Sequence, residues 1–201
     1  MLKEFEKRIL SSLILIPVAT FFILKGTLFF NFFLIICLSI TLYEWQMMSK
    51  KKPYNIFGHI FLLLSFYSAY LISNENEKSL YIFLFVLLIC ISTDIGGYIL
   101  GKILKGPKLT KISPKKTYSG VFGGYLLSII VANSFIDYVD LNFYIEEFVI
   151  VIVISTISQI GDITVSYFKR LSKLKNTGKL IPGHGGILDR IDGMIFAFPF
   201  F

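Results

Sequence analysis

Four aspartates stand inside or at the edge of long apolar runs: Asp94 closes one, Asp162 interrupts another, and Asp189 and Asp192 open a third. An ionised Asp near the centre of a membrane helix costs about 2.5–3.5 kcal/mol on insertion scales, so such groups face a cavity or a partner. Asp189 and Asp192 are three residues apart, and in a helix their carboxylates point the same way. Carboxylates gathered at neutral pH need a cation between them. A hard divalent ion with oxygen ligands, Mg²⁺ above all, suits a site that also takes phosphate oxygens. Zinc does not suit it, because Cys37 and Cys90 lie far off in apolar runs and no second His is suitably spaced. Both cysteines read as small buried hydrophobes. His184 sits among Gly183, Gly185 and Gly186, where backbone can approach a ligand closely. Alone, it reads equally as a structural hydrogen-bonder or a ligand contact.

Two further patterns bear charge. Ser155, Gln159, Asp162, Ser166, Lys169 and Lys173 recur at helical spacing, which predicts a polar stripe on one face, with Ile157, Ile160 and Val165 opposite. Such a stripe lines a water-filled cavity rather than touching lipid. The segment Gly101–Tyr118 holds six lysines, and within it Ser113, Lys115, Lys116 and Thr117 precede a glycine-rich helix start at Gly120, Gly123 and Gly124. Backbone N–H groups there, with the two lysines, make a phosphate cradle. Glu44, beside Trp45 at the end of an apolar run, reads as an interfacial anchor.

The elements that must position these groups follow from composition. Of 201 residues, 55% are hydrophobic and 16% charged, and the mean hydropathy is +0.72. Soluble domains carry about 25% charged residues, so a soluble enzyme, a disordered tail and a disulfide scaffold are all excluded. The fold class is an all-α polytopic membrane bundle. Apolar runs at Ile9–Leu24, Leu28–Met47, Ile56–Ile72, Leu80–Leu100, Val121–Ile136 and Phe148–Phe168 predict six spans, the first one retained rather than cleaved. The short run Ile191–Phe201 adds a partial seventh. Alternating the loops puts 18 of the 20 basic residues on one side: Lys3, Lys7 and Arg8, Lys50–Lys52, six lysines between 102 and 116, and six Lys or Arg between 169 and 190. The other side keeps Lys25 and Lys78 among Glu75, Glu77, Asp137, Asp140, Glu146 and Glu147. Excess Lys and Arg marks cytoplasmic loops. The N-terminus and the basic loops at about 101–119 and 169–190 therefore face the cytoplasm, in one membrane domain over 1–201. A basic face of this kind attracts anionic headgroups and nucleotide phosphates.

The residues carry a resemblance. Ser166, Phe168-Lys169-Arg170, Lys175, Gly178, Pro182, His184-Gly185-Gly186 and Asp189-Arg190-x-Asp192, preceded by Gly161-Asp162, resemble the signature of the phosphatidate cytidylyltransferases. Asp94-x-Gly96-Gly97-Tyr98-x-x-Gly101-Lys102, followed by Ser113-Pro114-Lys115-Lys116-Thr117 and Gly120, Gly123, Gly124, is similar to the family's other hallmark. One position departs: the family usually has Asp where Asn176 follows Lys175, which keeps shape and one acceptor but loses a charge. The resemblance implies CTP + phosphatidate → CDP-diacylglycerol + pyrophosphate, with Mg²⁺ and the number of cations left open. It implies Asp162, Asp189 and Asp192 as metal ligands, with Lys169 completing the catalytic set. Lys115, Lys116, Arg170 and Arg190 would bind phosphates, with Ser113, Thr117 and His184 as further contacts and Asp94 shaping the nucleotide end. It implies a homodimer in the cell's inner membrane, with CTP and membrane phosphatidate as partners and no nucleic acid.

Two other readings stay open at this level. A CTP-dependent lipid alcohol kinase of the polyprenol type would transfer the γ-phosphoryl group instead. A small anion transporter would use the stripe as a permeation path, though transporters often show internal repeats and none is seen.

Overall fold

The computed structural model describes residues 2–74, 79–135, 145–183 and 185–201, and within these all side chains except those of 2–5, 7–10, 12 and 145–147. His184, the acidic residues assigned to the outer side and the three N-terminal cations lie outside that description. In a segment with no water to bond, every backbone N–H and C=O must be satisfied internally, and helices do this within one segment. The apolar runs are accordingly helical, and the elements are α1 Leu2–Leu24, α2 Thr27–Ser49, α3 Asn55–Asn74, α4 Ser79–Leu104, α5 Tyr118–Phe135, α6 Ile145–Leu171, α7 Leu188–Ile191 and α8 Met194–Ala197, with a closing 3₁₀ turn at Phe198–Phe200. Five of them, α2 to α5 and the Phe148–Leu171 part of α6, are long and apolar enough to cross a membrane. The apolar part of α1 is the shorter stretch Leu13–Leu24.

The chain forms two compact units. The first holds Met1–Tyr70 and Phe168–Ile191. Here Gly26, at φ +113°, makes the turn between α1 and α2, and Phe22 stacks on Phe33 at 5.6 Å. The Trp45 indole donates to the Asn55 carbonyl at 2.9 Å and lies flat against Gly58, where any Cβ would strike the ring. Phe168 packs edge-on against Trp45 at 5.3 Å and at 4.8 Å from Tyr54, so the end of α6 is wedged beside the α2–α3 turn.

The second unit holds Leu71–Tyr167 and Asp192–Phe201. Its α4 and α5 pack backbone to backbone through small residues, the usual way membrane helices gain van der Waals contact. A Cβ on Gly123 would come within 2.5 Å of the Gly96 carbonyl, and one on Gly120 within 2.8 Å of the Gly97 carbonyl. Thr93 donates to Ser155 at 2.8 Å and Tyr125 meets Thr156 at 2.9 Å, satisfying hydroxyls that lipid could not. The terminal apolar run is no continuous helix: Asp192 and Gly193 part α7 from α8, and Pro199 sits within the 3₁₀ turn. Phe198 from this segment stacks on Phe83 of α4 at 5.1 Å.

Candidate active site

In the second unit, Thr117 is the N-cap of α5: its hydroxyl accepts from the Gly120 N–H at 3.1 Å. The chain before it folds back on itself, with Leu109 N–H bonded to Lys116 O at 2.8 Å and Tyr118 N–H to Pro107 O at 3.1 Å. This fold-back sets Ser113, Lys115 and Lys116 at the mouth of α5. They line a cavity of about 290 Å³ together with Asp94, Thr117, Gln159 and Asp162. The sequence-derived basic cradle and the carboxylate of α6 thus share one space. Within it Lys116 Nζ lies 2.6 Å from Asp162 Oδ2 and also donates to the Gln159 carbonyl at 3.2 Å. The Ser166 hydroxyl donates to the other carboxylate oxygen of Asp162 at 3.3 Å. Asp192 is buried, at 7% exposure, and accepts from the Gly193 N–H at 3.1 Å. Its backbone lies against α6 where Gly161 leaves room: a Cβ at 161 would stand 2.8 Å from the Asp192 carbonyl.

The first unit builds a different arrangement from the segment after α6. Ile181 and Gly185 exchange two backbone hydrogen bonds, at 2.8 and 3.1 Å, and Gly183 and Gly185 take φ of +77° and +89° that L side chains avoid. Asp189 folds under this turn. Its Oδ1 accepts from Lys169 Nζ at 2.8 Å, and its Oδ2 from the N–H groups of Thr177 at 2.8 Å and Gly186 at 3.0 Å. Burial pushes the Asp189 carboxyl upward, but the Lys169 ammonium and the two amide bonds outweigh it and hold the group below its usual range. Lys169 itself is buried. Arg170 and Arg190 are exposed, and Arg170 reaches the Leu174 carbonyl at 3.1 Å.

Glu44 is where sequence reading goes astray. It is no interfacial anchor but a carboxylate only 3% exposed. It accepts from the Thr177 hydroxyl at 3.0 Å and from the N–H groups of Ile187 at 3.0 Å and Leu188 at 2.9 Å. Thr177 was equally invisible. Gly178 and Gly186 both flank this carboxylate, but sequence spacing does not reveal that juxtaposition, so no local signal marked it.

The donor set bears on a divalent ion. Among the described residues no three His, Cys, Asp or Glu side chains are grouped to hold a metal. Mg²⁺, however, binds through one or two carboxylates plus substrate phosphates and keeps much of its water. The cavity around Asp162 and Asp94, with the amide of Gln159 and the hydroxyls of Ser113 and Thr117, offers hard oxygen donors of that kind. Asp189 has both oxygens engaged by N–H donors and an ammonium and keeps 5% of its side-chain exposure, against 27% for Asp162.

Comparison with known proteins supplies the remaining finding. Residues 55–201 match the model of the cytidylyltransferase family. The phosphatidate cytidylyltransferase of Rickettsia felis is 37% identical over 96% of this chain and 88% of its own length. Its counterpart in Rickettsia typhi is 36% identical over 96% and 89%. That of Staphylococcus saprophyticus is 36% identical over 82% of this chain and 65% of the longer relative.

Proposed function

This chain belongs to the cytidylyltransferase family, and from that premise we propose how its residues divide the work. The protein is a nucleotidyltransferase, a phosphatidate cytidylyltransferase of phospholipid synthesis, acting on CTP and phosphatidate. A phosphate oxygen of phosphatidate attacks the α-phosphorus of CTP, the bond from that phosphorus to the β-phosphate bridge oxygen breaks, and pyrophosphate leaves with the electron pair. The attacking phosphate is already ionised at neutral pH. It needs alignment and charge screening rather than a base.

The observation that carries the assignment is the cavity in which Lys115, Lys116, Ser113 and Thr117 meet Asp162. Two ammonium groups and two hydroxyls bind triphosphate oxygens there, and the Lys116–Asp162 contact holds the lysine aimed into the cavity before substrate arrives. Asp162, with Asp94 nearby, would hold Mg²⁺, which when bound neutralises triphosphate charge. Asp192 stays assigned to the same centre, supported by its backbone position against Gly161. Lys169, Arg170 and Arg190, in the first unit, are further phosphate contacts on the strength of the resemblance, and Arg190 offers a bidentate fork. Asp189 acts through Lys169, whose ammonium it fixes. His184 remains a phosphate or nucleotide contact on the strength of the resemblance alone.

We read α1 as a sixth span ahead of the five already counted, with the short segments after α6 as the partial seventh. The chain is a homodimer of the inner membrane that takes no nucleic acid. The bias of Lys and Arg supports a cytoplasmic N-terminus and a site open to cytoplasmic CTP. Labelled CTP tests the reaction. With the purified protein and phosphatidate, the α-phosphate enters lipid, pyrophosphate is released, and a chelator stops both. Transfer of the γ-phosphate to lipid would instead mark a kinase.

A further inference from the structure

We propose that Glu44, on α2, is a positioning residue for this reaction: its carboxylate is the mould around which residues 176–188 fold, and it fixes Asp189 and Lys169 through Thr177. The inference rests on the reading above, in which Lys169 meets a substrate phosphate.

Three donors converge on this one group. Its Oε2 takes the Thr177 hydroxyl and the Leu188 N–H, and its Oε1 takes the Ile187 N–H. All three are neutral, and Glu44 has only 3% exposure. A charge buried without a counter-ion is costly unless hydrogen bonds satisfy it, so a simple tether would be cheaper with a neutral residue. What the site requires is an acceptor on both oxygens, and among side chains of this length only a carboxylate is acceptor-only. The loop is shaped to match. A Cβ at Gly178 would lie 2.6 Å from Oε1, and one at Gly186 would collide with Oε2.

Thr177 joins Glu44 to the chemistry. Its hydroxyl donates to Glu44 while its own N–H donates to Asp189 Oδ2 at 2.8 Å. Asp189 in turn holds Lys169 at 2.8 Å. The order is therefore Glu44, Thr177, Asp189, Lys169, and a fault at the first position is felt at the last.

Glu44→Gln is the informative variant. An amide oxygen replaces one acceptor, but the NH₂ must face either Ile187 N–H or Leu188 N–H, leaving one donor unmatched whichever way it turns. The expected result in detergent micelles containing phosphatidate is a kcat lowered about tenfold to a hundredfold. The KM for CTP stays within about twofold, because the lysines and hydroxyls of the cavity are untouched. Trypsin cuts faster after the exposed Lys175 and Lys179 of the released loop. Thr177→Val lowers kcat in the same way, Thr177→Ser restores it, and the double variant Glu44→Gln/Thr177→Val loses less than the product of the two single losses. Should Glu44→Gln fail to accumulate, the Thr177 pair carries the same test. Wild-type kcat in Glu44→Gln, a change confined to the CTP KM, or an unaltered tryptic pattern would each overturn the proposal. If the wild-type protein moves no α-label into lipid, the reaction itself is misread and this inference falls with it; an active wild type beside an indifferent Glu44→Gln variant sinks this inference only.

Discussion

Asp162 with Lys116, and Asp189 with Lys169, pair the same residue types at nearly the same distance, 2.6 and 2.8 Å, in two different units of the chain. Their surroundings differ. The Lys116 and Asp162 side chains keep 23% and 27% of their exposure and line a cavity, whereas Lys169 and Asp189 keep 10% and 5%, with both Asp189 oxygens further engaged. A pair open to water exchanges partners at little cost. A buried pair whose lone pairs are all used is costly to break, because the survivor is left as an uncompensated charge. The first pair is thus suited to exchange partners, and the second holds Lys169 and its loop in a fixed position.

The contrast breaks most visibly at the framework end. Asp189→Ala strands the Lys169 ammonium and two amide N–H groups, and is expected to lower stability by about 3–5 kcal/mol. Thermal unfolding in detergent reads this, with activity lost alongside. Acid reaches the same pair more gently. Because the Asp189 carboxyl is held below its unfolded value of 3.8, its contribution is intact above about that pH and fades only as pH falls through the lower folded value. Melting temperature against pH should therefore show an acid limb below 3.8 that is flattened in Asp189→Asn.

Helix packing comes next in size. Gly123→Ala places a methyl 2.5 Å from the Gly96 carbonyl, so α4 and α5 must part, at about 1–3 kcal/mol, again measured by unfolding. At the open end, Lys116→Ala should move stability by less than about 1 kcal/mol yet raise the KM for CTP about tenfold, the loss of one charge-assisted contact; steady-state kinetics separate the two. Smallest of all, Asn176→Asp should change turnover less than about threefold, since Asn176 is exposed and surface substitutions are usually mild.

The sequence made the second unit more legible than the first. Apolar runs located the long helices to within a few residues, as Leu80–Leu100 against α4 Ser79–Leu104 shows, because desolvating the backbone forces helices whatever the neighbours are. Within the run Ile191–Phe201 hydropathy sees no break, while Asp192-Gly193 and Pro199 interrupt the helix locally. Ser113 to Thr117 could be read as a cradle since their grouping is local in the chain. Glu44 could not, because its partners lie 133 to 144 residues away and nothing in its own neighbourhood distinguishes a buried mould from a surface anchor. For the same reason the spacing of Asp189 and Asp192 suggested a shared ion, while tertiary contacts give Asp189 to Lys169 and the loop amides.

Asp162→Asn bears most directly on the division between open and closed pairs. Transfer of the α-phosphate of CTP to phosphatidate, measured at saturating CTP on the same preparation as its melting temperature, should fall at least about a hundredfold with the melting temperature unmoved. Near wild-type transfer, or a melting temperature that drops as far as that of Asp189→Ala, would contradict the account.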